Sequence, residues 1–496
     1  MTDTTAQLVS DYLDHGKLPN LPNGHFIDGK FVAGSTGEML QSFDPGNGKV
    51  IGTFATGNAK DIDDAVASSQ KGFEIWRRMK PSQRCDILNK ASELLLKNEA
   101  IVSVMETIDS GKTLVEAQGD VRNSARLLQY YAGAADKLDG RSINMGEDLT
   151  AWTSREPVGV TAHIIPWNYP TSTFVRGVAP ALAAGCSVVA KPAETTPYTA
   201  LLIAEILSEA GVPDGVVNVV TGLGSTAGAP LVVDPRVKHV TFTGSVGTGV
   251  NVMQAVAPNV TRLTLELGGK SPLVALSDSD VEAVAEGALW AIFSNAGQIC
   301  SAGSRLVLHD SIHDDVMSRL LEKTKGLKWG HGLRNPDMGA INSDLHLGRV
   351  KAHVDAARDR GRSILTGGNV TTDQETGQGW FFEPTIIDRL ATDDAAVQEE
   401  IFGPVLAVQV VKSDEDAIQA ANATEFGLVA GVYSRDISRA LRLARELDAG
   451  QITINDYWAG GIELPFGGNG KSGFGREKGW EGLDAYTKTK SIAVRL

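Results

Sequence analysis

The sequence predicts an α/β protein built on parallel sheets, and three observations carry that expectation. Between Val158 and Gly244 four short β-rich runs recur, VGVTAHIIP, CSVVAKP, GVVNVVTG and HVTFTG, each closed by Pro or Gly. Helical stretches such as 198–211 and 225–233 lie between them, and strand–helix–strand alternation implies βαβ units and a parallel sheet covered on both faces. Further apolar runs at 273–276 (LVAL), 305–309 (RLVLH) and 405–411 (VLAVQVV), with candidate helices at 280–296 and 311–326, predict a second α/β unit.

The other elements follow in order. Residues 25–55 predict short strands joined by tight hairpins at Asp28-Gly29 and Asn47-Gly48. From Asp61 the apolar spacing becomes helical, with Asp61, Asp63 and Asp64 in a first turn where the helix dipole favours anions. Helices are predicted after Pro81 and over about 98–109 and 113–136. Asp139-Gly140 breaks that run, and Arg141–Glu156 reads as extended. The tail after Gly470 ends in AYTKTKSIAV, a candidate edge strand.

Composition narrows the function. The 496 residues carry 46 basic and 60 acidic side chains, a formal net charge of −14, with 42% hydrophobic and 21% charged residues. At about 150 residues per unit this length suits three folding units. A pI near 5.2 argues against nucleic acid or an anionic membrane as the main partner, because phosphate binding needs clustered Lys and Arg. Three cysteines do not make a disulfide framework and point to a reducing, cytoplasmic setting. Asp3, Asp11 and Asp14 precede any Lys or Arg, so no basic signal region is expected. The uncharged stretches 157–175 and 215–233 are broken by Pro and Gly and do not read as membrane helices.

Several residues could carry chemistry. Cys300, in Asn-Ala-Gly-Gln-Ile-Cys-Ser-Ala-Gly, is either a buried structural thiol or a nucleophile on a small-residue loop that lets a substrate approach. Cys85 and Cys186 sit in helical and apolar strand settings and read as packing residues. Glu266, between Leu265 and Leu267, is a candidate general base if burial raises its pKa, or a strand-end charge paired with Arg262 or Lys270. Two glycine-rich turns, Gly222–Gly228 (GLGSTAG) and Phe242–Gly249 (FTGSVGTG), each follow a strand, but neither has the standard dinucleotide spacing. Ser245 could donate to a phosphate at a helix N-terminus. Asn168, in IIPWNYP, could donate to a developing oxyanion or satisfy its own turn. Lys191 and Glu194, in KPAE, stand at a strand-to-helix junction where open α/β sheets bind ligands.

Seven motifs in this order together resemble the NAD(P)-dependent aldehyde dehydrogenase superfamily: PWNYP (166–170), KPAE (191–194), FTGSVGTG (242–249), LELGGKSP (265–272), GQIC (297–300), EEIFGPV (399–405) and PFGGNGKSGFGRE (465–477). The resemblance spans nearly the whole chain. It implies a Rossmann-like cofactor domain (1–136 and 157–265), an α/β catalytic domain (266–470) and a β oligomerisation element (137–156 and 471–496) that makes homodimers or homotetramers. It implies Cys300 as nucleophile, Glu266 as base, the Asn168 amide and Cys300 N–H as oxyanion hole, and Glu477 as a second proton acceptor. NAD, with NADP possible, is implied as cofactor. Lys191 and Glu194 would hold its adenosine ribose, Ser245 its pyrophosphate, and Glu400 and Phe402 its nicotinamide ribose and ring. Ile164, Ile165, Pro166, Trp167, Gly224, Gly228, Phe242, Thr243, Gly244, Thr248, Leu267 and Gly268 would line the rest of that site. No metal is implied.

The resemblance also implies a small-molecule aldehyde substrate and a tunnel formed by Tyr169, Thr173, Arg176, Phe293, Ile299, Ser301, Tyr457 and Phe466. Arg176 stands where succinate-semialdehyde dehydrogenases place an arginine for a substrate carboxylate, but their second arginine is replaced by Ser294. Arg176 therefore reads either as a carboxylate binder or as half of an internal ion pair. Two alternatives to hydrolytic aldehyde oxidation remain: a CoA-acylating enzyme, whose subclass generally lacks the carboxylate at the position of Glu266, and a non-catalytic binding protein on the same fold.

Overall fold

The structure, a computed structural model, describes residues 3–18 and 21–496. Both expected hairpins form. His25–Ile27 pairs with Lys30–Val32 across a turn in which Asp28 and Gly29 have φ of 56° and 74°, and Met39–Asp44 pairs with Lys49–Ala55. The helix Ala59–Trp76 starts on a complete capping box, Asn58 accepting from the helix backbone while Asp61 accepts from the Asn58 N–H. Pro81–Lys97, Glu99–Ser110 and Leu114–Ala134 follow, the last opened by a second capping box on Thr113 and Glu116.

Two large sheets organise the rest. The first has eight strands in the order Lys30–Val32, His25–Ile27, Val217–Val219, Ser187–Lys191, Val160–Ile164, Val237–Thr243, Arg262–Glu266 and Gly473–Phe474. Its central five run parallel, as βαβ alternation requires. The second has seven, ordered Ser363–Thr366, Thr385–Asp388, Val405–Val411, Arg305–His309, Pro272–Ala275, Val429–Tyr433 and Gln451–Ile454, with only the first antiparallel. The tail strand Thr487–Arg495 pairs along its whole length with Leu149–Pro157 and forms one edge of a separate three-stranded sheet.

Helix Pro170–Ala184 packs between the first sheet and Leu114–Ala134, and the sequence pattern did not single it out. Almost every one of its residues is buried, including Phe174, Val178 and Leu182, so it shows no polar face to reveal a helical period. Burying each of those three side chains contributes on the order of 1.5–3 kcal/mol. Pro170 at its first turn and Gly185 at φ 94° just past its end delimit it.

Candidate active site

Strand register assembles one side of the site. In the first sheet Ile164 lies opposite Lys191 on one side and Phe242 on the other, and Thr243 lies opposite Glu266. The C-terminal ends of four parallel strands therefore stand in a row, the edge at which open α/β sheets bind ligands. Beyond that edge, Pro166, Trp167, Thr243, Gly244, Ser245, Glu266, Leu267, Gly268, Glu400 and Phe402 line a cleft of about 290 Å³ that reaches Cys300. A second cavity of about 370 Å³ opens on the other side of Cys300, lined by Tyr169, Thr173, Arg176, Ile299, Ser301, Tyr457 and Phe466 among others. Asn168, Thr243 and Cys300 line both spaces.

The loop that presents Cys300 is conformationally demanding. Asn295, Ala296 and Gly297 follow one another with φ of 46°, 52° and 72°. A Cβ at Gly297 would stand 2.1 Å from the Gly403 carbonyl oxygen, so the turn admits no side chain there. The Asn168 amide donates to the Gln298 carbonyl at 2.9 Å, which holds it two residues from the thiol. Phe293, expected in the tunnel, is instead fully buried in the hydrophobic cluster beneath the second sheet and is absent from the cavity wall. It is the last residue of helix Val281–Phe293, whose apolar face turns it into the core before the chain reaches the loop.

Burial dominates the electrostatics. Glu266 is 1% exposed, and neither carboxyl oxygen has a hydrogen-bond partner among the described residues. It pairs with neither Arg262, which donates to the Thr487 carbonyl, nor Lys270, whose buried ammonium has no hydrogen-bond partner among the described residues. Burial, then the nearby Glu477 carboxylate, holds its pKa well above the usual range, with Arg176 opposing. Burial likewise pushes the Cys300 thiol up to about 11, against the pull of Arg176. Glu477 is buried and forms an ion pair with Arg176, whose guanidinium also lies 5.2 Å from the Phe466 ring centroid. Of the two possibilities for Arg176, the structure shows the internal pair.

On the cleft side, Glu400 accepts from the Gly269 N–H at 2.9 Å, and burial pushes its carboxyl up to about 7. Phe402 sits at φ 55°, with its carbonyl 2.7 Å from Nε2 of His346, and the Trp167 ring lies 5.2 Å from His346 and 5.4 Å from Phe402. His346 and Arg349, on helix Asp344–Asp359, line this cleft and escaped the sequence reading because that helix carries no motif. The other cavity adds Asp120 and Asn123, on the motif-free helix Leu114–Ala134, together with Trp458 and Lys478, each one residue beyond a position the sequence singled out. Farther along the sheet edge Lys191 is buried and donates to the exposed Glu194 at 3.3 Å, and Gly228 packs against the Lys191 stem. Gly224–Gly228 forms a single π turn. Ser245 caps helix Val246–Val256, accepting from the Thr248 N–H. Ile165 and Phe242 are buried behind this edge, and Ile164 is half-buried at it. Among the described residues no cluster suited to a metal ion occurs, and no helix is long and apolar enough to cross a membrane.

A thiol at the junction of a sheet-edge cleft and a second cavity, with a buried carboxylate lining the cleft, sits on a doubly wound α/β fold of the kind that binds nucleotide cofactors at its strand ends. The chain belongs to the aldehyde dehydrogenase family: the model of that family matches residues 31–492. It is 39% identical over 471 residues to the betaine aldehyde dehydrogenase of Bacillus subtilis (strain 168), covering 94% of this chain and 96% of that one. Among solved structures it resembles an NAD-dependent aldehyde dehydrogenase from Sinorhizobium meliloti (TM-score 0.93, 39% identity, 96% of this chain and 95% of that one). It also resembles a betaine aldehyde dehydrogenase from Staphylococcus aureus solved in complex with NAD+ (TM-score 0.95, 35% identity, 99% and 97% covered).

Proposed function

We propose that this chain oxidises a small-molecule aldehyde to its carboxylic acid with NAD, through covalent catalysis at Cys300. The observation that carries the reading is Cys300 at the junction of the two cavities, with Asn168 on both walls and Glu266 in the cleft. The cleft suits a dinucleotide: its wall includes Trp167 and Phe402, and the buried Thr243 hydroxyl has no partner among the described residues. Lys191 and Glu194 stand where an adenosine ribose would lie. An exposed carboxylate accepts from a 2′-hydroxyl and repels a 2′-phosphate, which favours NAD over NADP.

The residues then act in sequence. A thiol pushed up to about 11 needs a base, and Glu266, with its raised proton affinity, accepts the Cys300 proton directly or through water. The Cys300 sulfur bonds to the aldehyde carbon, the carbonyl π pair moves onto oxygen, and the Asn168 amide donates to that oxyanion. NAD, when bound in the cleft, supplies the hydride acceptor that leaves a thioester on Cys300. Once the Cys300 proton has passed to solvent, Glu266 takes one from water, whose oxygen adds to the thioester carbon. The carbon–sulfur bond breaks, the sulfur keeps its electron pair, and the acid leaves.

The same reading divides the chain into a cofactor unit (1–136 and 157–265), a catalytic unit (266–470) and an oligomerisation element (137–156 and 471–496). The open edge at Thr487–Arg495 supports a homodimer or homotetramer, since an unpaired edge invites pairing. The dispersed free cysteines support a cytoplasmic location. The deciding experiment follows NADH absorbance with a panel of aldehydes. The wild type is expected to form NADH and Cys300→Ala to form none, whereas full activity in Cys300→Ala would overturn the assignment. Acceleration of wild-type turnover by coenzyme A would point instead to an acylating enzyme.

A further inference from the structure

Two cations line the cavity beside Cys300, Arg176 and Lys478. The Arg176 charge is already matched by Glu477. Lys478 has no such partner: among the described residues its ammonium makes no ion pair or hydrogen bond, and its recorded contact is the Phe466 ring, 5.2 Å to the centroid.

Its backbone is equally unusual. Lys478 sits at φ 58° and ψ 179°, a region that is essentially glycine's. The surroundings hold it there from both sides. Glu477 and Phe466 exchange two backbone hydrogen bonds of 2.7 Å, the Gly479 N–H donates to the Ile462 carbonyl at 2.9 Å, and the Gly482 N–H donates to the Lys478 carbonyl at 2.9 Å. A strained, non-glycine residue kept in place by its neighbours, on the wall of the cavity beside Cys300 and with its ammonium over the Phe466 ring, is the kind of outlier that marks function.

The charge balance of the cavity identifies what this ammonium would meet. The groups that face it are Arg176, Glu477, Glu266 and Cys300. Glu477 is committed to Arg176, and among the described residues no carboxylate stands within ion-pair distance of the Lys478 ammonium. That ammonium is left with no counter-ion in contact on the cavity wall, which favours an anion brought in by the ligand. The cavity offers less to a cationic tail. Asp120 already accepts from Lys112 at 2.5 Å, and the Tyr169 and Phe466 rings already have protein cations against them, Lys112 at 3.9 Å and Arg176 at 5.2 Å.

We propose that Lys478 is a specificity residue that reads a carboxylate on the tail of the substrate, so that the preferred aldehydes are short aldehyde-acids. The inference rests on the aldehyde oxidation assigned to Cys300, and it transfers the recognition of the anion from Arg176 to Lys478. Burial, then the Arg176 charge, lowers the Lys478 pKa to about 8. The ammonium is therefore present at neutral pH, and its preference for an anion weakens as pH rises through about 8.

The experiment compares 4-oxobutanoate with butanal, two four-carbon aldehydes that differ in the terminal carboxylate. The wild type should show the higher kcat/KM for 4-oxobutanoate. Lys478→Met keeps the length and the backbone demand but removes the charge, and should lower the 4-oxobutanoate-to-butanal ratio at least ~10-fold, about the loss expected for one charge-assisted contact. Lys478→Arg should restore most of it and abolish its decline above pH 8. Product inhibition in the wild type frees the test from the folding of any variant: succinate should compete with 4-oxobutanoate more strongly than butyrate does, less so as pH rises through about 8. A wild type that prefers butanal, or an unchanged ratio in Lys478→Met, would overturn the role of Lys478 while leaving aldehyde oxidation standing. No NADH from any aldehyde would overturn both.

Discussion

Replacing Glu266 by Gln removes a proton acceptor and almost nothing else. The side chain is 1% exposed, and its carboxyl oxygens have no hydrogen-bond partner among the described residues, so an isosteric amide breaks no bond seen in the fold. Neither neighbouring carboxylate is free to substitute: Glu477 is paired with Arg176, and Glu400 accepts from the Gly269 N–H. The full value of a positioned base should be lost, about 10²–10⁴-fold. A central value of about 10³ corresponds to about 4 kcal/mol of transition-state stabilisation. Stopped-flow measurement of NADH should show a burst of at most one equivalent per Cys300, followed by a steady state slowed by that factor. The burst itself should also slow if Glu266 deprotonates the thiol.

The pH dependence gives this prediction its sign. The Glu266 pKa is raised, so the basic form is gained, and wild-type turnover rises, as pH climbs through a value well above the ordinary carboxylate range. That limb should vanish in Glu266→Gln. Stability moves the other way: a buried acid that holds its proton in the folded state loses stability as pH rises toward its folded pKa. The Gln variant should therefore be at least as resistant to thermal unfolding at alkaline pH as the wild type. Near wild-type steady-state turnover in Glu266→Gln, or a retained pH limb, would refute the reasoning.

Three further outcomes are expected. Asn168→Ala removes the amide at the junction of the cavities and should lower kcat about 10²–10³-fold with a smaller change in KM, read from steady-state NADH formation. Glu194→Gln removes the exposed carboxylate beside Lys191 and should raise the kcat/KM ratio of NADP to NAD, whereas an unchanged ratio would detach Glu194 from cofactor choice. Arg176→Met leaves the buried Glu477 without its partner and should destabilise the fold by about 3–5 kcal/mol in chemical denaturation, with the Arg176→Met/Glu477→Gln double variant recovering much of the loss.

How far the chain could be read depended on whether the chemistry was local. The turns at Asp28-Gly29 and Asn47-Gly48 and the helix starts at Asn58 and Thr113 are legible because each is satisfied within a few residues. Cys300, Glu266 and Asn168 stood out through their short flanking motifs, and the structure brings all three to one cleft. Helix Pro170–Ala184 was hidden because nearly all of it is buried, and Asp344–Asp359, with His346 and Arg349, because it carries no motif. Phe293 was misplaced because position relative to Cys300 along the chain does not report which way a helix end faces.

The sequence by itself determined the α/β class and the alternation of strands and helices along the chain, and it singled out Cys300, Glu266 and Asn168 as candidates, since hydrophobic period, turn residues and motifs are properties of neighbours in the chain. Only the tertiary structure decided which charges meet. Arg176 and Glu477 are about 300 residues apart in the chain yet share one buried ion pair, while Lys478, adjacent to Glu477, lines the cavity with no ion pair among the described residues. The desolvation that raises Glu266 and Cys300 is likewise a property of the packed interior. Ion pairing and burial depend on distance in space, and that distance is set only when strand register and loop conformation have closed the site.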